Sequence, residues 1–176
     1  MAKNLSFLFA FIVLCGLNSS AQSGISLRDG IQKTYNAAIG VRERTGRNDG
    51  VDVEKYLAYV WLKPGNPWCA AFVSWTLGQS GVKKARSGGC VALMEQGTTI
   101  YRTNKLTRTP GPGDVFFIYY PTKKRVAHTG FVDKWESTYL ITVEGNTNEA
   151  GSREGDGVYR KRRLKSQIYA VSTYLN

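Results

Sequence analysis

Two residue types in this chain can combine as nucleophile and base, and the chain is sparing with both. It has one histidine, His128, and three cysteines, Cys15, Cys69 and Cys90. A cysteine attacks as the thiolate, and a neighbouring imidazole can take its proton. Cys69 follows a turn signal, Pro64-Gly65-Asn66-Pro67, and opens an apolar segment with helical spacing. Phe72, Val73 and Leu77 fall on one side of that helix, which is predicted from about Trp68 to Leu77 and closed by Gly78. Cys69 then lies in the first turn, where unpaired N–H groups and the helix dipole favour an anion. It reads equally as a small buried apolar side chain or as half of a disulfide with Cys90.

His128 lies in a stretch predicted as a strand. Alternation puts His128, Gly130 and Val132 on one face and Ala127, Thr129 and Phe131 on the other. Gly130 leaves room for something to approach the histidine, although a lone strand histidine is also an ordinary structural residue. A Cys–His pair needs a third group to orient the imidazole. The next predicted strand ends in Glu144-Gly145-Asn146, which offers an anion and a neutral acceptor. Glu144 closes its strand, whereas the chain is expected to be turning by Asn146, so Glu144 is the preferred partner. Other chemistries lack their signatures: there is no Gly-x-Ser-x-Gly elbow, phosphate loop or His-Glu-x-x-His helix. A zinc site would need Cys69, Cys90 and His128 without a C-x-x-C pair, so no metal or cofactor is expected.

The elements that must position these groups are legible in outline. Residues 1–21 read as a secretory signal peptide: Lys3, an apolar run from Leu5 to Leu17, and a small-residue cleavage site at Ser19-Ser20-Ala21. Cleavage near Ala21 predicts a secreted or periplasmic protein and removes Cys15. The run is too short for a stable membrane span, so no transmembrane segment is expected. Residues 22–176 are read as one domain. Helices are predicted from Leu27 to Thr45-Gly46 and from Asp52 to Trp61, ahead of the cysteine helix. Val91 to Gln96 reads as one or two helical turns, and Tyr101 to Thr109 as a basic loop. From Gly113 the chain turns to strands: Val115 to Tyr120, Val126 to Trp135, Tyr139 to Val143, Val158 to Arg163 and Ile168 to Tyr174. Helices first and strands after predict an α+β fold with an antiparallel sheet. The net charge of +11 suits anionic partners. The cluster Arg160-Lys161-Arg162-Arg163-Lys165 reads as the solvated face of a strand, so no nucleic-acid partner is expected.

Taken together, Pro67-Trp68-Cys69-Ala70-Ala71-Phe72-Val73, Gly113-Asp114-Val115, His128-Thr129-Gly130-Phe131-Val132 and Glu144-Gly145-Asn146-Thr147 resemble CHAP domains, cysteine- and histidine-dependent amidohydrolases and peptidases of cell walls. The resemblance extends through Asn48-Asp49-Gly50, Tyr56-Leu57 and Gly151-Ser152-Arg153-Glu154-Gly155. It implies a papain-like fold with helices packed on a small antiparallel sheet and substrate in a groove between them. It further implies a monomeric enzyme that hydrolyses amide bonds in peptidoglycan, with Cys69, His128 and Glu144 as the reacting row and Asn146 as helper. Trp68 and Trp75 would line the groove. Some members carry an acidic calcium loop before the cysteine; Lys63 to Pro67 contains no acid, so no calcium is expected there. The alternatives are an NlpC-like stem-peptide peptidase, or a non-catalytic wall-binding domain held by a Cys69–Cys90 disulfide.

Overall fold

A computed structural model describes residues 26–149 and 155–175. The expected signal peptide and the Gly151–Glu154 portion of the motif lie outside the described residues. Four helices come first: α1 (Leu27–Ala38), α2 (Val51–Tyr59), α3 (Cys69–Gln79) and α4 (Cys90–Glu95). Seven strands follow: β1 (Thr98–Arg102), β2 (Lys105–Leu106), β3 (Val115–Tyr120), β4 (Arg125–Trp135), β5 (Tyr139–Thr147), β6 (Gly157–Leu164) and β7 (Ala170–Thr173). They form one antiparallel sheet in the order β2-β1-β7-β3-β4-β5-β6. This is the α+β arrangement expected from helices first and strands after. Among the described residues no helix is long and apolar enough to cross a membrane.

Helix α3 is the centre of the packing. Ala70, Ala71, Phe72, Val73, Ser74, Thr76 and Leu77 are all fully buried on it, so it is a core helix rather than a one-sided surface helix. Phe72 meets Tyr56 from α2 edge-on at 5.4 Å and Phe131 from β4 at 6.0 Å between ring centroids. Burying a side chain of this size contributes roughly 1.5–3 kcal/mol. The close approach of α3 to β5 requires Gly145: a Cβ there would stand 2.7 Å from the Trp68 ring and 2.9 Å from Phe72. The alternation of β3 divides the core. Val115 and Phe117 join the helix-side cluster, and Phe116 and Ile118 join a second cluster with Val132, Leu140 and Val171.

Several boundaries differ from the sequence reading. Helix α1 ends at Ala38 rather than near Gly46, because residues 41–50 are drawn into a loop tied by the Asp49 carboxylate. That carboxylate accepts bonds from the Thr45 N–H, the Thr45 hydroxyl and Arg44. The stretch expected as a basic loop contains the hairpin of β1 and β2, turned through Thr103 and Asn104, both with positive φ. It has no apolar alternation over more than two residues, so periodicity had nothing to detect. Strand β5 runs on to Thr147, past the expected end at Val143.

Candidate functional site

Cys69 is the first residue of α3. The first bond of the helical ladder runs from the Phe72 N–H to the Trp68 carbonyl at 2.8 Å, so the N–H groups of Cys69, Ala70 and Ala71 lie ahead of it. The Ala70 N–H beside it helps to draw the Cys69 thiol below its ordinary range. The cysteine is almost entirely buried, and its Sγ lies 3.7 Å from that of Cys90. Both are free thiols, so the expected alternative of a disulfide is not the arrangement in this structure.

His128 sits where β4 is irregular. Ile118 pairs with His128 and Tyr119 pairs with Val126, which leaves Ala127 without a partner and bulges the strand beside the histidine. The imidazole Nε2 lies 2.8 Å from Oε2 of Glu144. That leaves Nδ1 as the ring nitrogen available to Cys69, which lines the same cleft and acts to raise the histidine's pKa. The register accounts for the carboxylate contact. Val132 pairs with Thr142, so Thr142 and Glu144, two residues apart, share the face that carries His128. Gly130 is needed between them, but not to admit a ligand. A Cβ there would be 2.9 Å from the Phe116 ring and 3.0 Å from Cγ of Glu144, so the space is occupied by the protein itself.

Glu144 is fully buried and satisfied on both oxygens. Oε1 accepts from the Thr142 hydroxyl at 2.6 Å and from Arg163 Nε at 2.8 Å, and Oε2 accepts from Arg163 Nη2 at 2.5 Å. Burial acts to raise its pKa, but the bidentate Arg163 fork and His128 outweigh it and hold the carboxyl well below its ordinary range. Burial likewise opposes a charge on His128, yet its bonds to Cys69 and Glu144 prevail and raise its pKa to about 9. The hydrogen bond from Cys90, followed by those from His128 and the Ala70 N–H, overcomes the burial of Cys69 and draws its thiol well below the usual range. These shifts favour a thiolate on Cys69 beside an imidazolium on His128, which is backed by a carboxylate and a guanidinium.

Asn146 stands apart from this row. It has φ +53° and occupies the register shift of β5 between Glu144 and Thr147. Its Oδ1 accepts the Trp68 N–H at 3.0 Å, and its Nδ2 donates to Oδ1 of Asn48 at 2.9 Å. The asparagine therefore clamps the entrance of α3 to β5 and to the 43–48 loop, instead of reaching the imidazole. Asn146→Ala removes these bonds and places a Cβ-bearing residue with no local hydrogen bond in the left-handed region. Stability should fall by roughly 2 kcal/mol, which a melting curve reads as a loss of about 4–8 °C, and the pH profile of Cys69 alkylation should keep its shape.

A cleft of about 260 Å³ opens over Cys69 and His128. Tyr120 at the end of β3 and Lys123 just after it border it, with Lys161 and Arg163 on β6 and with Asn48 and Asn146. The two tryptophans expected to line a groove are elsewhere, and the structure corrects that expectation. Trp68 is fully buried against Tyr56 and donates its indole N–H to Glu43 at 2.8 Å, so it has no surface to offer a ligand. Trp75 borders a separate shallow groove with Lys33, Asp52 and Tyr56, its ring covered by the Lys55 ammonium at 4.7 Å. The sequence reading missed Arg163 and Lys161, which it placed on a solvated face. The signal was the period of two: Thr142 pairs with Lys161 and Leu140 with Arg163, so these cations share the face of Glu144, while Arg160 and Arg162 are exposed.

Comparison with known proteins adds a family. Residues 61–146 match the family model described as CHAP domain, a span that contains Cys69, His128, Glu144 and Asn146. A solved structure of an NlpC/P60 family protein from Bacillus cereus is similar over 85% of this chain, with 14% identity and a TM-score of 0.48, and the chain spans 40% of that chain. No curated protein matches the chain.

Proposed function

Because residues 61–146 match the CHAP domain, a family of cysteine-dependent cell-wall hydrolases, we propose that this chain is an exported cysteine hydrolase cleaving amide bonds in peptidoglycan. The observation that carries the reading is the continuous row from the Cys69 sulfur through His128 to Glu144, with the 2.8 Å contact between Nε2 and Oε2, at the floor of an open cleft.

In this mechanism the Cys69 thiolate attacks the scissile carbonyl carbon. The oxyanion that develops faces the Cys69 backbone N–H at the start of α3. His128 gives its Nδ1 proton to the leaving amine as the C–N bond breaks, which leaves a thioester on Cys69. The neutral imidazole then takes a proton from water, the resulting hydroxide equivalent attacks the thioester, and the acid product departs as Cys69 returns to the thiolate. Glu144 keeps Nε2 protonated throughout and stabilises the imidazolium. Lys123 and Lys161 at the rim suit a substrate that carries carboxylates. Action outside the cytoplasm as a monomer, by residues 22–176 after removal of the leader, belongs to the same proposal.

Incubating the protein with purified sacculi and with defined muropeptides, and weighing the soluble products by mass spectrometry, tests this reading. The expected result is the gain of one water at a single amide. Intact stem peptides freed from glycan identify an amidase, and shortened or un-crosslinked stems identify a peptidase of the NlpC kind. Sacculi that bind the reduced protein but stay intact would make it a wall-binding domain.

A further inference from the structure

Cys90 stands beside the nucleophile, and no step above uses it. It opens α4, which packs on both α3 and β4, and this places its sulfur 3.7 Å from that of Cys69 with both residues nearly closed to solvent. The distance fits an S–H···S hydrogen bond. Two thiolates cannot share this site, since the second charge would be buried against the first. Of the two sulfurs, Cys69 has the imidazolium of His128 and the Ala70 N–H turned toward it, so the anion belongs there. Cys90 must then keep its proton, and the adjacent Cys69 sulfur and its own burial both push its ionisation upward.

We propose that Cys90 is a positioning residue, whose S–H donates a hydrogen bond to the Cys69 thiolate. With the His128 N–H and the Ala70 N–H it completes a set of three donors around one sulfur. The charged and titratable groups around the pair are His128 and Arg125 from β4, Glu144 from β5, Lys161 and Arg163 from β6, Tyr120 at the end of β3, Lys123 just after it and Tyr174 after β7. Between pH 4 and 8 the imidazole, the carboxylate and the phenols among these keep their charge: His128 loses its proton only near 9, Glu144 is ionised well below its usual range, and burial raises both tyrosines. An acid limb in the reactivity of Cys69 therefore reports the cysteine pair.

The proposal rests on Cys69 as nucleophile, and its test does not depend on what the protein hydrolyses. The rate of Cys69 alkylation by iodoacetamide is followed against pH, read by mass spectrometry of the Cys69 peptide, in the reduced full chain and in Cys90→Ser, Cys90→Ala and Cys90→Val. Cys90→Ala removes the donor, so the acid limb should move to higher pH and alkylation below it should slow about tenfold. Cys90→Ser retains an O–H donor and should restore the parental profile. Cys90→Val fills the volume without a donor and should behave as alanine, also serving in its place if Cys90→Ala fails to fold. An unmoved limb in the alanine and valine variants would overturn the proposal. So would an equal shift in the serine variant.

Discussion

Cys69→Ser should abolish hydrolysis, by at least about 10⁴-fold in kcat, while the circular dichroism spectrum is retained. The substitution changes one atom in a side chain that is almost entirely buried, so the packing of α3 on β4 and β5 has little to lose. What disappears is the charge. A serine hydroxyl cannot be ionised by the donors that suffice for a thiol, because its intrinsic acidity is far lower, and the imidazolium then faces a neutral group. His128 should lose part of its elevated affinity for a proton, since the bond to Cys69 is the leading contribution raising it. A histidine titration followed by NMR in the variant should therefore end below the parental value of about 9. Hydrolysis that survives Cys69→Ser but fails in Cys90→Ser would transfer the nucleophile to the other thiol.

Glu144→Gln should produce the second large effect, and a different one. Glutamine keeps the shape but presents a single oxygen where the carboxylate accepts from His128, Thr142 and Arg163 together. Turnover should fall roughly 10²-fold, because the imidazolium loses its anion and the ring its fixed tautomer. The alkaline limb, set by His128, should move down from about 9 toward neutrality. Stability should also drop, by roughly 3 kcal/mol at neutral pH, since Arg163 is left half-buried without its counter-charge. The sign follows from the direction of the shift. The folded carboxyl ionises below its ordinary range, so its contribution is complete above that range and is lost as pH falls. Parent and variant should accordingly converge in acid. A parallel offset at every pH would show that the charge of Glu144 is not what matters.

The candidate row of Cys69, His128 and Glu144 was legible because each member has a distinct local signature. Cys69 follows a proline-containing turn into an apolar helix, His128 has no competitor in the chain, and Glu144 closes a run of β-branched residues. The preference for Glu144 over Asn146 beside the imidazole agrees with the 2.8 Å contact, although the argument for it was incomplete. The chain does not turn at Asn146; it bulges, and the asparagine is thrown outward to the Trp68 N–H. Bulges depend on pairing between strands distant in sequence and leave no periodic mark. Arg163 was hidden for a related reason. In a run of cations each residue resembles its neighbours, and only the register against β5 separates the two that face the cleft from the two that face solvent. The tryptophans misled because a large aromatic beside a nucleophile reads as a wall of the groove, whereas Trp68 is the filling beneath it.

Strand β6 has a second consequence, as the end of the sheet. It pairs with β5 on one side; on the other, among the described residues, its first stretch of backbone at Gly157 and Val158 is tied to residues 40–42, and the stretch from Arg160 onward is an open template for another strand. Two copies aligned there would bring Arg160, Lys161, Arg162 and Arg163 against the same four residues. Like charges directly opposite one another oppose pairing, and long cationic side chains are a common guard on exposed edges. The guard is electrostatic and weakens as ionic strength rises and the screening length shortens. The same strand that supplies the counter-charge of Glu144 thus keeps the sheet from growing into a neighbour.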